Sequence, residues 1–245
     1  MMSFTHAHVR KHRAAMRMFA LMVILLSSRV TGQQPSPAAP ATAPAKEGST
    51  PERPLDVLPP LPADAHVEQT MQLGSRALKY TVRVGTVPVY DKDGKKTGEV
   101  VFTAYTMEGP DRPVTFALNG GPGASSVYLN FGAIGPKRVA FGDDGDSPSD
   151  PATLTDNPGT WLDFTDLVFI DPIGTGFSRS LVAADQAKRE FYSTENDIHY
   201  LSRVIYDWLV KNQRLRSRKY LVGESYGGYR VPRMTHYLQS QLGVA

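Results

Sequence analysis

The stretch Tyr220-Leu221-Val222-Gly223-Glu224-Ser225-Tyr226-Gly227-Gly228 decides the fold. Tyr220 to Val222 is a short apolar run that reads as a strand, and Tyr229 to Leu238 reads as a helix. Between them lies a G-x-S-x-G. That pattern suits a sharp turn that lifts the Ser225 hydroxyl out of a sheet, with glycines two before and two after so that neighbouring backbone passes closely. The following helix aims its first N–H groups at the same place, which favours developing negative charge. A bare G-x-S-x-G is common by chance, and a plain Gly/Ser turn is the alternative. The strand before it and the helix after it favour Ser225 as a nucleophile.

Working outward, Val114 to Leu118 is a short apolar strand that runs into Asn119-Gly120-Gly121-Pro122-Gly123. A Gly-Gly pair at a strand end offers accessible backbone N–H groups. Acyl transfer needs such donors aimed at the oxyanion of its tetrahedral intermediate, each worth roughly 3 kcal/mol. One donor comes from the residue after the nucleophile and the other from a strand-end loop. These are the N–H of Tyr226 and that of Gly121 (or Gly120). Taken alone, the loop could be a plain Gly-Pro turn. Asp166 to Ile170 is another apolar strand, running into Asp171-Pro172-Ile173-Gly174-Thr175-Gly176-Phe177-Ser178. Its glycines lack a following P-loop Lys and do not form G-x-G-x-x-G, so this loop reads as structural lining and no cofactor is expected.

Glu195 to Lys211 has helical spacing, with Ile198, Leu201, Ile205, Trp208 and Leu209 on one face. Tyr80 to Tyr90 and Glu99 to Met107 read as two strands of a β-hairpin around Asp93-Gly94. The later chain alternates strand, Gly-rich turn and helix, which argues for a mostly parallel sheet with helices on its faces. Ligands bind outside the carboxyl ends of such strands, so the three Gly loops should meet there. The fold class expected is α/β, the N-terminal part of an α/β-hydrolase sheet preceded by a hairpin and truncated.

The first 32 residues hold Arg10, Lys11, Arg13, Arg17 and Arg29 and no acid, with nine apolar residues from Met18 to Leu26. That is the anatomy of a secretory signal, and the run is too short to span a bilayer. An uncleaved anchor is the alternative. Removing those five from the 27 basic residues leaves 22 against 24 acidic ones, so the basicity is local and nucleic-acid binding has little support. Residues 33 to 72 form a Pro/Ala-rich linker, rich in Pro, Ala, Ser and Thr up to Pro62, and order is expected to begin near Leu73. The domain then runs from 73 to 245. The chain has no Cys and no H-E-x-x-H, which rules out disulfides and thiolate metal sites and leaves no support for a metal. Export to a bacterial periplasm or the exterior is expected, without stable membrane insertion after signal cleavage.

Four motifs now stand in order: NGGPGASS from Asn119, NPGTW from Asn157, DLVFIDPIGTGFS from Asp166 and GESYGGYRVP from Gly223. Over about residues 73 to 245 the sequence resembles the serine carboxypeptidases. The resemblance implies an α/β-hydrolase that removes C-terminal residues from peptides or proteins through a Ser/Asp/His triad. It implies Ser225 as nucleophile, Gly121 and Tyr226 as oxyanion-hole donors, and Asn119 and Glu224, with Gly120 beside them, as the substrate-binding group for the terminal carboxylate. Two neighbouring carboxyl groups cannot both stay ionised cheaply, so one holds a proton and low pH is favoured. Three positions depart from the family. Ala124 replaces a usual Cys, Ala133 replaces the acid of Glu-Leu-Gly-Pro, and Gly227 stands where Ala is commoner, a minor change.

Triad partners follow the Ser in the order Asp then His. After Ser225 there is only His236, eleven residues on in the same helix, and no Asp. His6, His8, His12, His66 and His199 are equally poor candidates. The 245 residues are therefore expected to be a fragment, inactive alone. Rival readings are a proline iminopeptidase-like hydrolase, an acyltransferase on the same frame, and a non-catalytic binding protein that keeps the scaffold.

Overall fold

The polar, sparsely apolar segment Ala65–Leu73 forms the first strand, β1. The computed structural model of the chain describes residues 59–109, 111–141 and 153–244. The expected signal segment and nearly all of the Pro-rich stretch lie outside the described residues. β1 turns through Gly74 (φ 59°) and Ser75 into β2 (Arg76–Tyr90) and pairs with it antiparallel from Ala65↔Val84 to Leu73↔Arg76. Strand structure is thus present eight residues earlier than Leu73, and the linker expected up to residue 72 ends before β1. The reason lies in the strand itself. Met71 is its one buried residue, so backbone pairing holds β1, and no apolar stripe announces it.

β2 returns through a turn in which Asp91 Oδ1 accepts the Asp93 and Lys95 N–H groups, with Gly94 at φ 79°. The partner strand, β3, is Lys96–Thr106. β2 serves both sheet faces, with Leu78 and Tyr80 buried on one and Val87 and Val89 on the other. Val84 is exposed.

β4 (Val114–Leu118) and β7 (Asp166–Ile170) are buried along their whole length. They lie side by side and parallel, with β9 (Lys219–Gly223) parallel on the other side of β4. Their continuous apolar runs are what a strand covered on both faces requires. The sheet order is β1-β2-β3-β7-β4-β9, with the two-residue β8 (Arg179–Ser180) also on β3. The hairpin strands therefore form an antiparallel flank, and β7-β4-β9 is the parallel part that ends at the Gly loops. A separate pair, β5 (Lys137–Val139) and β6 (Leu154–Asp156), was not expected.

One face is covered by α1 (Ala184–Phe191), α2 (Thr194–Lys211) and α3 (Tyr226–Ser240). Ser193 caps α2, its hydroxyl accepting the Asn196 N–H at 3.2 Å. The five apolar residues expected on one face of α2 are all buried. Trp208 packs edge-on against Phe116 at 5.3 Å and Phe102 at 6.2 Å between ring centroids, which anchors α2 to the sheet. The other face carries a smaller core of Met71, Leu78, Tyr105, Leu129, Leu162 and Phe169 among others, closed partly by a π-helical turn, Leu129–Ile134. The NPGTW motif holds that turn. Asn157 Nδ2 donates to the Ala133 and Gly135 carbonyls at 2.7 and 2.8 Å, and Thr160 Oγ1 to Ile134 O at 3.0 Å.

At the amino ends of the parallel strands, buried Asp166 accepts Arg112 Nε at 2.8 Å, Arg214 Nη1 at 2.7 Å and the Met107 N–H at 3.1 Å. Arg214 also donates to the Arg112 carbonyl at 2.7 Å, which ties the α2–β9 connection to the start of β4. Asp166→Ala would leave two part-buried guanidinium groups without their carboxylate. It is expected to cost about 3 kcal/mol of unfolding free energy, read as a shift of the urea midpoint at unchanged slope. A midpoint equal to that of the unmodified protein would show that Asp166 staples nothing.

Candidate active site

β9 ends at Gly223 and α3 begins at Tyr226, so the chain must reverse within Glu224 and Ser225. Ser225 does this at φ 56°, ψ −121°, a conformation that costs a non-glycine residue on the order of 1–3 kcal/mol. Close backbone packing enforces it. A Cβ at Gly223 would lie 2.0 Å from the Gly227 carbonyl oxygen, and one at Gly227 would lie 2.4 Å from Leu118 O. The choice of Gly over Ala at position 227 is therefore not minor in this structure, because a methyl there forces α3 away from β4. The Gly227 and Gly228 N–H groups close back on the Glu224 and Ser225 carbonyls at 2.8 Å. The Tyr226 nitrogen, one residue earlier, packs against Gly120, where a Cβ would come within 2.4 Å of it.

The three Gly loops meet at this end of the sheet. Asn119, fully buried after β4, donates from Nδ2 to Glu224 Oε2 at 3.0 Å. Its Oδ1 accepts the Leu129 N–H at 3.0 Å, and its own N–H donates to Ser126 Oγ at 3.2 Å. Ser126 Oγ donates in turn to Ile170 O at 2.5 Å, and the Ser126 N–H donates to Asp171 Oδ1 at 2.8 Å. Ser126 thus rivets the β4 loop to the β7 loop. Burial pushes the Asp171 carboxyl above the usual carboxylate range, against the pull of the Ser126 N–H. Gly121 follows at φ 106°, where a side chain would be strained and would crowd the Gly123 nitrogen at 2.7 Å. Glu224 and Ser225 are exposed.

Each residue singled out in the sequence therefore lies at one place. Ser225 and Tyr226 are on the turn, Gly120 and Gly121 on the loop against it, and Asn119 is hydrogen-bonded to Glu224. His236 and His199 line a groove between α2 and α3, the latter ring 4.5 Å from that of Tyr237, on helix surfaces beyond the first turn of α3. What sequence reasoning missed is Arg230, wholly buried, which joins Asp197 of α2 in a two-bond ion pair. Burial raises the Asp197 pKa while the guanidinium opposes the rise. The signal available was a charge placed at core spacing on each of two neighbouring helices.

A family model described as serine carboxypeptidase matches residues 85–242, well over half of the chain. The chain belongs to the serine carboxypeptidase family. Serine carboxypeptidase-like 50 of Arabidopsis thaliana is 33% identical over 159 residues, covering 63% of this chain and 33% of that protein. The pheromone-processing carboxypeptidase of Aspergillus niger is 32% identical over 161 residues, covering 61% and 23%. A serine carboxypeptidase S10 family member of Dictyostelium discoideum is 32% identical over 135 residues, covering 54% and 30%. The chain thus spans about a third or less of the length of these carboxypeptidase relatives. The family match agrees with the α/β-hydrolase fold of the sheet and its three loops.

In this serine carboxypeptidase chain the turn tolerates no Cβ at its first glycine. Gly223→Ala is expected to lower stability by about 1–3 kcal/mol through overpacking against the Gly227 carbonyl, measured by thermal unfolding. An unchanged melting temperature would mean that the turn has slack.

Proposed function

We propose that the protein carrying this chain is an exported serine-type carboxypeptidase acting on peptide or protein substrates. The observation that carries this is the convergence of Ser225, on its strained turn, with the Gly120–Gly121 backbone and the Asn119–Glu224 pair. Ser225 Oγ attacks the carbonyl of the C-terminal peptide bond and gives up its proton to a histidine base. The Tyr226 and Gly121 N–H groups receive the developing oxyanion, supported by the N-terminus of α3. The C–N bond then breaks, the C-terminal residue leaves with the transferred proton, and water releases the acyl group from Ser225. Asn119 and Glu224 hold the substrate's terminal carboxylate through a shared proton, which sets the acidic preference. The sequence after Ser225 contains one His, on the far turns of α3, and no Asp. The reading therefore assigns the triad acid and base to sequence beyond these residues, with the 245-residue chain inactive by itself. Export rests on the basic-then-apolar opening of the chain. Among the described residues no helix is long and apolar enough to cross a membrane.

A fluorophosphonate probe tests the nucleophile directly, because only an activated serine labels quickly. The full-length protein should label on Ser225 and lose labelling and peptide cleavage, by at least about 10³-fold, in Ser225→Ala. Labelling at another serine would end this proposal. Glu224→Gln removes the protein's carboxyl from the pair it forms with the substrate carboxylate and is expected to flatten the acidic preference of peptide cleavage. A pH profile superimposable on that of the unmodified protein would remove Glu224 from carboxylate binding.

A further inference from the structure

We propose that Arg230 is a positioning residue of this site, one that sets the Asn119–Gly120 peptide relative to Ser225; the proposal rests on the reading of Ser225 as the nucleophile. Arg230 lies one turn beyond Tyr226 in α3 and is 1% exposed. Its Nε donates to Asp197 Oδ2 at 2.7 Å and its Nη2 to Asp197 Oδ1 at 3.1 Å, the parallel fork that a carboxylate accepts from Arg. Its Nη1 donates to the Asn119 carbonyl oxygen at 2.9 Å. The guanidinium carbon sits 5.0 Å from the centroid of the Tyr226 ring. One planar cation therefore touches the helix that follows the nucleophile, the helix before it in the chain and the loop that faces both.

The contact to Asn119 is the informative one. The N–H, the side-chain oxygen and the side-chain amide of Asn119 are already engaged by Ser126, Leu129 and Glu224. The backbone carbonyl is the remaining polar group, and Arg230 takes it. In a planar peptide, fixing the carbonyl of Asn119 also fixes the direction of the Gly120 N–H. Gly120 and Gly121 have no side chains to hold them. Arg230 fixes the first peptide of the oxyanion loop, and the Ala124 N–H, donating to the Gly120 carbonyl at 3.2 Å, holds the next one. Simple stability explains the arrangement poorly. A buried Arg–carboxylate pair can be replaced by apolar residues of similar volume with little loss or a gain. An apolar side chain cannot hold the Asn119 carbonyl, and a Lys at 230 lacks the fork to grip Asp197 and that carbonyl together.

The test uses the full-length protein with two variants. Arg230→Lys keeps the charge. The double variant Arg230→Met with Asp197→Leu removes the pair without stranding a buried charge, so that it folds. Both are expected to fold and to melt somewhat below the unmodified protein, because the buried Asn119 carbonyl loses its donor, while kcat on a peptide substrate falls on the order of 10²-fold and KM moves by no more than about twofold. Amide hydrogen exchange within residues 119–124 is expected to rise at least roughly tenfold, with β2 and β3 unchanged. Unchanged exchange in residues 119–124, or a rise shared equally by β2 and β3, would overturn the positioning role. If the unmodified protein neither cleaves peptides nor labels at Ser225, the carboxypeptidase proposal fails by itself, and the exchange comparison still decides what Arg230 does.

Discussion

Ser225 holds a backbone conformation that a residue with a Cβ adopts only under compulsion, and most of the polar structure at this end of the sheet depends on that compulsion. The compulsion is steric on one side and electrostatic on the other. Gly223 and Gly227 let α3 and β4 approach until a single methyl would collide with backbone. The buried Arg230–Asp197 pair then ties α3 to α2, and its third hydrogen bond reaches the Asn119 carbonyl. Relaxing the turn would let Ser225 settle into an ordinary conformation, and the Tyr226 N–H and Gly120 backbone would part.

The two ends of the parallel strands use buried charge differently. At the amino ends, Asp166 is shared by Arg112 and Arg214, which close the connection between β4, β7 and β9, and it also accepts the Met107 N–H beyond β3. At the carboxyl ends, Arg230 spends one donor on a loop carbonyl rather than on a second acid. The first arrangement joins the frame at the end of the sheet opposite Ser225. The second joins the frame to the loop that faces Ser225. Ser126 repeats the logic in neutral form, linking the β4 loop to the Ile170 carbonyl and Asp171 of the β7 loop.

Much of the frame could be read from the chain because burial leaves a pattern. β4 and β7 are continuous apolar runs since both faces are covered, and α2 repeats its apolar residues at helical spacing because one face meets the sheet. β1 left no such mark. It is an edge strand held by backbone hydrogen bonds, and its polar side chains resemble those of the linker before it. The short β5–β6 pair and the π-helical turn escaped for a related reason: Asn157 and Thr160 hold the turn through main-chain carbonyls, which carry no residue-type signature.

Composition and local order were enough to determine the Ser225 turn, the glycine loop, the helix behind them and the family they point to, because each depends on residues adjacent in the chain. Only the tertiary structure decided which groups support them. Arg230 and Asp197 stand 33 positions apart and Ser126 and Asp171 stand 45 apart, while Asn119 and Glu224, 105 apart, were paired beforehand only by the family resemblance. A hydrogen bond between such partners exists only once the parallel strands have brought their ends together, and no spacing in the sequence encodes that distance.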